Sequence, residues 1–323
     1  MKNINKYILA FAVGVALLGT SCKEDELTDS IFDTAEQDLD VNSYTYKLDS
    51  FLLENYQKPY NLNFIYKMED KGVDMNYNLI PATIDSSKKM AVLTKYLWFD
   101  VYGKVVSPEF LKAYGPRIIH LIGSPAYNPS SGTILLGLAE GGIKVSLFRV
   151  NDINPNDVEF MNEMYFKTMH HEFAHILHQT KTYPKDFNLI SFKDYNPLGW
   201  QDRHDNIALS LGFVTPYASS QTREDWVEVI ANYIVKTDAW WENALNVASQ
   251  GWIQRDKMRP ESGVDPAPDE DGVNGAVVII TKLDMCKDWM RTKWNIDLEE
   301  LRNEVQYRQS HIDIDSLLNQ LHY

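Results

Sequence analysis

Cysteine is scarce in this chain of 323 residues, which carries only Cys22 and Cys286. Two thiols cannot form the disulfide framework of a small secreted scaffold, and none at all remains for an internal bridge if Cys22 is modified. A hydrophobic content of 44% and an aromatic content of 12% supply a core instead. We therefore expect one enzyme-sized globular domain that is stabilised by packing.

Basic residues are in the minority, with 31 lysines and arginines against 45 acidic residues and a formal net charge of -14. A surface of that sign repels nucleic acid and anionic membrane surfaces, so we expect no nucleic-acid partner. Internal repeats and long low-complexity tracts are also missing from the sequence, which argues against a solenoid or a fibrous protein.

The apolar run at residues 7–18 is too short for a normal membrane-spanning helix. It follows a basic start and precedes small residues, which is typical of a secretory signal peptide, predicted here as residues 1–21. The ending LLGTSC resembles a bacterial lipobox, although Gly19 replaces the usual leucine. The resemblance implies a lipid on Cys22 and an outer-membrane location; the alternative is an ordinary signal with an incidental cysteine.

Residues 22–42 are acidic and poor in aromatic residues, which predicts a flexible tether before a domain at 43–323. The KEDE stretch directly behind Cys22 resembles an export tag to the cell surface, and a plain solvated tether explains it equally well.

Hydrophobic periodicity predicts an α+β fold with a small mixed sheet, an active-site helix and a mostly helical C-terminal lobe. The predicted helices are 44–56, 87–102, 156–180, 222–236, 240–250, 272–293 and 297–321, and the predicted strands are 61–68, 117–123 and a hairpin of 133–139 with 144–150 around Gly141 and Gly142. The connection 182–221 is too long to be idle in a compact domain, so we expect it to form a wall of the active site.

The string HEFAH, residues 171–175, is the H-E-x-x-H zinc signature. Residues four apart share one face of a helix, so His171 and His175 can bind one ion together. Glu172 lies beside them, where it can act as the general base.

A catalytic zinc site needs a third protein ligand. The metzincin pattern is excluded, because its required glycine and histidine are replaced by His178 and Lys181. His178 itself lies about 10 Å of helix from His171, too far for both to bind one ion. We expect it to contact the cleft wall or to be an ordinary helix residue, and we expect His170 to be structural.

A glutamate from a second helix is the other solution, and Glu224 and Glu228 lie four apart on one face of the predicted helix 222–236. Either carboxylate could reach an ion. In the gluzincin class the zinc-binding glutamate is followed four residues later by an acid that orients the first histidine, which favours Glu224 as ligand and Glu228 as its supporting acceptor.

HEFAH, a tyrosine seven residues before Glu224, and the E-x-x-x-E pair are together similar to the catalytic domain of the lethal-factor metalloproteases. The resemblance implies that Tyr217 stabilises the oxyanion, since a phenol can donate a hydrogen bond to it. His204 is a second candidate for that task.

The chain resembles still more closely the zinc metallopeptidase lipoproteins encoded beside TonB-dependent nutrient importers, through its lipid-anchored start, the Gly-Gly hairpin before HEFAH and the GFVTPYA segment. That resemblance implies a zincin-like fold, Zn²⁺ as cofactor, and hydrolysis of peptides or glycoproteins at the cell surface beside an importer. It also implies that one arm of the hairpin edges the cleft. The alternative is a non-catalytic nutrient-binding or scaffold lipoprotein that keeps zinc for structure.

Overall fold

The structure, a computed structural model, describes residues 39–68, 78–127, 134–135, 137–140, 144–250, 252–254, 264–266 and 274–322. Contacts divide the chain into the units Met1–Ser43 and Tyr44–Tyr323, and the second of these is considered below. The predicted signal peptide and the lipidation site Cys22 lie outside the described residues, as do nearly all of the tether and the turn glycines Gly141 and Gly142. The predicted domain boundaries therefore stay predictions.

The first part of the described domain is helical on either side of a short strand. Helix α1 runs through Tyr46–Leu52, a π-helical stretch Leu53–Gln57 and Lys58–Tyr60; strand β1 is Asn63–Ile65; helix α2 runs through Ile84–Thr94, a π-helical stretch Lys95–Phe99 and Asp100–Val105; and helix α3 is Pro108–Tyr114. The hydroxyl of Thr83 accepts from the Ser86 N–H at 3.2 Å and so begins α2 ahead of the predicted start.

A four-stranded sheet has the order β1-β2-β6-β5. Strands β2, Ile118–Leu121, and β6, Lys144–Leu147, run parallel to β1, while β5, Gly137–Glu140, pairs with β6 in the antiparallel direction. The register aligns Phe64, Ile119 and Val145, all of which are buried. The pairing of β5 with β6 confirms that the two predicted arms pair, but the prediction of 133–139 as a single arm is wrong, because Ile134–Leu135 pair elsewhere. Strands β3, Ala126–Tyr127, and β4, Ile134–Leu135, form a separate pair.

The helix that carries HEFAH follows the sheet. Helix α4 runs through Val158–Met161, a π-helical stretch Asn162–Phe166 and Lys167–Thr180, and it begins where Asp157 accepts from the Phe160 N–H at 2.9 Å. The long connection after α4 contains α5, Phe187–Ile190, α6, Asp205–Ser210, and 3₁₀ turns at Trp200–Asp202 and Tyr217–Ser220. The connection is therefore long because it contains two short helices and two 3₁₀ turns.

Helices dominate the remaining chain, which confirms the predicted fold class. Helix α7 is Thr222–Val235, α8 is Asp238–Ala248, α9 is Gly275–Trp294, α10 is Leu298–Gln309 and α11 is Ile314–Asn319, with strands β7, Trp252–Gln254, and β8, Val264–Pro266, between α8 and α9. The prediction of one helix over 297–321 is wrong, because Asp313 caps a new helix through the Ser316 N–H.

The centre of the molecule is aromatic. Trp98 of α2 packs edge-on against Phe173 of α4 with 5.6 Å between ring centroids, and Trp226 of α7 packs edge-on against Trp289 of α9 at 5.4 Å. These contacts pack α4 against α2 and α7 against α9. Across the described ranges, no helix is both long enough and apolar enough to cross a membrane.

Candidate metal centre

Two packed helices bring together three atoms of the kind that bind zinc. The Nε2 atoms of His171 and His175, one turn apart on α4, lie 3.1 Å and 3.2 Å from Oε2 of Glu224 in the first turn of α7. Ligand atoms around a tetrahedral zinc ion at ordinary bond lengths lie about 3.3 Å apart. The separations of the Glu224 oxygen from the two Nε2 atoms therefore fit a zinc ion.

The remaining ring nitrogens also have partners. Nδ1 of His171 lies 2.8 Å from Oε1 of Glu228, and Nδ1 of His175 lies 2.9 Å from Nε2 of His178. A histidine that offers Nε2 to a metal carries its proton on Nδ1 and donates it to an acceptor. Glu228 and His178 are placed to be those acceptors, and the contact of His178 with His175 goes beyond what the sequence predicts.

Glu228 lies in a polar environment that suits an anion, with 2% of the residue exposed. Thr215 Oγ1 donates to its Oε2 at 2.6 Å, and the side chain of Asn232 donates to the same oxygen at 3.2 Å. Burial alone would raise the pKa of Glu228, but the charge of Lys167 and the hydrogen bond from His171 outweigh it and lower the pKa to about 2. The group therefore stays a carboxylate at neutral pH.

His171 lies between two carboxylates. Burial alone would lower its pKa, but the hydrogen bonds to Glu224 and Glu228 outweigh burial and raise the pKa to about 10. Burial alone would raise the pKa of Glu224, but its hydrogen bonds with His171 and His175 hold that pKa below its usual range. The centre thus concentrates negative charge around two imidazoles, which is favourable for a divalent cation.

Two carboxylates compete for the position of third ligand. Glu172 joins His171 and His175 in a group whose possible ligand atoms all lie within 4.8 Å of one another. Glu224 places one oxygen within 3.2 Å of both Nε2 atoms. Burial raises the pKa of Glu172 against the opposing effect of the two imidazoles.

Tyr217 lies at the edge of this centre. Its ring centroid is 5.9 Å from that of His171, and the ring of Trp200 packs against it at 4.9 Å. Burial, and then the charge of Glu224, raise the pKa of the phenol above its ordinary value, so the hydroxyl remains a neutral hydrogen-bond donor. With 37% of the residue exposed, it can still meet a ligand.

Two other histidines singled out from the sequence, His204 and His170, have contacts of their own. His204 caps α6, where its Nδ1 accepts from the Asn206 N–H at 3.2 Å, so this nitrogen is already engaged. His170 is buried, and its Nδ1 lies 3.1 Å from the hydroxyl of Tyr102 on α2. This contact is consistent with the structural role expected for His170.

Sequence reasoning missed several polar residues that contact the candidate ligands and Glu228. Asn232 lies four residues after Glu228 on α7, so helical spacing alone could have identified it. Gln221 donates to Oε1 of Glu224 at 3.2 Å. Thr215 comes from the connection before α7, and no sequence pattern links it to Glu228.

A helix-borne histidine pair facing a glutamate of a second helix can hold a zinc ion, and the comparisons with known proteins indicate a zinc-binding metallopeptidase. A family model described as "Putative zinc-binding metallo-peptidase" matches residues 41–299, and the chain belongs to this family. The sequence-based resemblance to zinc metallopeptidases is confirmed at that level.

A solved structure gives the same result. A crystal structure described as a "putative zinc-binding metallo-peptidase" from Bacteroides caccae is 40% identical in sequence to this chain. The match has a TM-score of 0.68 and covers 88% of this chain and 99% of the Bacteroides chain. No curated protein matches the sequence.

Proposed function

We propose that the chain is a zinc-dependent peptidase of the gluzincin type, with His171, His175 and Glu224 as metal ligands. The observation that carries the proposal is the approach of one Glu224 oxygen to both Nε2 atoms, with Glu172 beside them. A bound zinc ion would polarise the scissile carbonyl and lower the pKa of a water molecule.

Each side chain around that ion has a separate role in the reaction. Glu172 accepts the proton of the attacking water and passes it to the leaving amine, a role that its raised pKa supports. Tyr217 donates a hydrogen bond to the oxygen of the tetrahedral intermediate. Glu228 and His178 keep the two imidazoles oriented.

The sheet offers a place for an extended substrate. Of the two hairpin arms, β5 is the terminal strand in the order β1-β2-β6-β5, whereas β6 is paired on both sides. A peptide can add to a terminal strand through backbone hydrogen bonds. We therefore assign β5 as the arm that edges the cleft, with peptides or the peptide parts of glycoproteins as substrates.

The cellular setting that we propose comes from the sequence. The LLGTSC ending and the KEDE stretch support a lipoprotein of the outer membrane that faces the cell surface. Cleavage there would supply fragments to a TonB-dependent importer. Copurification of such an importer with the full-length lipoprotein from membranes tests the partnership, and recovery of the lipoprotein alone would count against it.

The catalytic proposal is tested with Glu172→Gln. The zinc-loaded protein should cleave members of a diverse peptide library, and the variant should keep about one zinc per chain while losing a factor of about 10² to 10⁴ in turnover. Glu159→Gln, an exposed glutamate in the first part of α4, is the matched control and should behave as wild type. Stoichiometric zinc without any cleavage by the wild type would favour the non-catalytic alternative.

A further inference from the structure

One hydroxyl group connects the carboxylate that orients His171 with the turn that carries Tyr217. Thr215 Oγ1 donates to Oε2 of Glu228 at 2.6 Å and accepts from the Ala218 N–H at 3.1 Å. A threonine hydroxyl has one proton to donate and lone pairs to accept, so both contacts can exist at once. The two sides of the centre therefore meet at Thr215.

The contact with Glu228 acts on the metal side. Oε1 of Glu228 faces Nδ1 of His171 at 2.8 Å, so the position of Oε2 sets the angle at which Oε1 meets the imidazole. A hydrogen bond to a buried carboxylate is short and strong, and the loss of one leaves part of the charge without a donor. Asn232 shares Oε2 but at 3.2 Å, which is the weaker contact.

The contact with Ala218 acts on the Tyr217 side. Ala218 directly follows Tyr217 in the 3₁₀ turn Tyr217–Ser220, and its N–H would lose a side-chain acceptor without the Thr215 hydroxyl. The ring of Tyr217 lies 5.9 Å from the ring of His171. A small rotation of the turn would move the phenol hydroxyl away from the position that an oxyanion would occupy.

We infer that Thr215 is a positioning residue that couples the orientation of His171, through Glu228, to the placement of Tyr217. The inference rests on the proposed zinc site, and only its effect on turnover also needs the proposed peptidase activity, because zinc affinity can be measured without any substrate. A single hydroxyl, whose contacts are with Glu228 and Ala218, should therefore affect both metal binding and catalysis.

The effect of Thr215 on metal binding is tested with Thr215→Val, which removes the hydroxyl at nearly constant volume, and with Thr215→Ser, which retains it. Zinc affinity, measured by competition with a chelating dye, should fall by about tenfold to a hundredfold in the valine variant and stay near wild type in the serine variant. Ser219→Ala is the matched control, because its hydroxyl lies in the same turn but donates to the carbonyl of Pro216 at 2.6 Å. A zinc affinity equal to that of the wild type in Thr215→Val would overturn the proposed effect of Thr215 on metal binding.

The effect of Thr215 on the placement of Tyr217 is tested by a double-mutant cycle at saturating zinc. Tyr217→Phe should lower turnover in the wild-type background, and the same change should have a much smaller effect when Thr215 is already valine. Fully additive effects would overturn the coupling. If Thr215→Val does not fold, as judged by circular dichroism, Thr215→Ala takes its place in both measurements. Zinc binding without cleavage by the wild type would defeat the proposed function but leave the affinity comparison intact.

Discussion

The two histidines of HEFAH are held by different partners. Nδ1 of His171 faces the carboxylate of Glu228, whereas Nδ1 of His175 faces the imidazole of His178. Burial, and then His175, lower the pKa of His178 to about 4, so His178 is neutral at pH 7 and can accept. A carboxylate acceptor increases the basicity of the imidazole more than a neutral acceptor does. We therefore expect His171 to be the stronger of the two zinc ligands.

The choice between the two glutamates of α7 is testable by zinc affinity. Glu224→Ala removes the oxygen that faces both Nε2 atoms, so zinc binding should be abolished or strongly weakened. Glu228→Ala removes the acceptor for Nδ1 and should weaken binding by about tenfold to a hundredfold. Competition with a chelator gives both constants. The reverse order of the two variants would place the ligand one turn further along α7.

His178 provides a second affinity test. His178→Ala removes the acceptor for Nδ1 of His175, and zinc affinity should fall by about tenfold or more with the metal stoichiometry unchanged. His170→Gln is the control on the same helix, because His170 contacts Tyr102 rather than a ligand. Equal zinc affinities in the two variants would show that His178 has no positioning role.

Zinc uptake should release a proton from His171. Its pKa is raised to about 10, against an ordinary value of about 6.5, so the metal-free protein at pH 8 holds a proton where zinc must bind. From this group alone, the apparent zinc affinity should rise about tenfold per pH unit and level off above pH about 10. The hydrogen bonds of the imidazolium likewise stabilise the metal-free fold fully below pH about 6.5, and this stabilisation is lost as the pH rises through about 10.

Calorimetry in buffers of different ionisation enthalpy measures the released proton. Glu228→Gln is the comparison, since the loss of one neighbouring anion should lower the pKa of His171 and reduce the release at pH 8. A zinc affinity that does not change between pH 7 and pH 9 would contradict the raised pKa of His171 in the metal-free protein.

At the scale of elements, α7 is the helix on which the site depends. Its residues from Glu224 to Val235 are all buried, including Asp225, whose Oδ2 lies 2.7 Å from Nζ of Lys282 on α9. Lys282 also donates to the carbonyl of Gly212 and lies over the ring of Phe213. The buried pair therefore ties α7 and the connection before it to α9.

Loss of that lysine should be costly. Lys282→Met leaves Asp225 buried without its counter-charge, and we expect the free energy of unfolding to fall by about 3–5 kcal/mol. Lys287→Met is the control on the same helix: Lys287 pairs with Glu299 at the surface and should cost less than about 1 kcal/mol. Chemical denaturation measures both values. A Lys282→Met variant as stable as Lys287→Met would refute the structural role of the pair.

Helical spacing explains which parts of the site could be predicted. His171 with His175 and Glu224 with Glu228 are each four residues apart, so the pattern along a single helix already places each pair on one face. The approach of Glu224 to the two histidines depends on the packing of α7 against α4, and its prediction needed the resemblance to known families. The contacts of Thr215 and Lys282 could not be predicted, because each contact joins two different segments of the chain and no local sequence pattern links them.

Strand lengths and helix ends show the same limit within the fold. The alternation over 61–68 predicts a longer strand than the observed Asn63–Ile65, because pairing with β2 sets its length. The hairpin arm 144–150 was predicted from local alternation and turn residues, and β6 lies within it. Local patterns therefore predict the type of an element better than its ends.

At the scale of the whole molecule, the position of the N-terminus on a membrane stays a prediction. If LLGTSC is a lipobox, mass spectrometry of the mature protein should find a lipid-modified Cys22 as the first residue, and the protein should partition into detergent. Cys22→Ser should remove the modification, whereas Cys286→Ser should keep it, because Cys286 is a buried thiol within α9. An unmodified N-terminus, or cleavage at another residue, would refute the lipoprotein assignment.

The proposed division of the zinc ligands between α4 and α7 would also affect the lifetime of the protein. His171 and His175 lie next to Glu224 only while the two helices are packed, so an ion that needs all three binds the folded chain and scarcely the unfolded one. Zinc at a hundred times its dissociation constant would add about 2.7 kcal/mol to the free energy of unfolding. A cell short of zinc would then lose this protein to proteolysis as well as losing its activity, and its abundance would follow the metal supply.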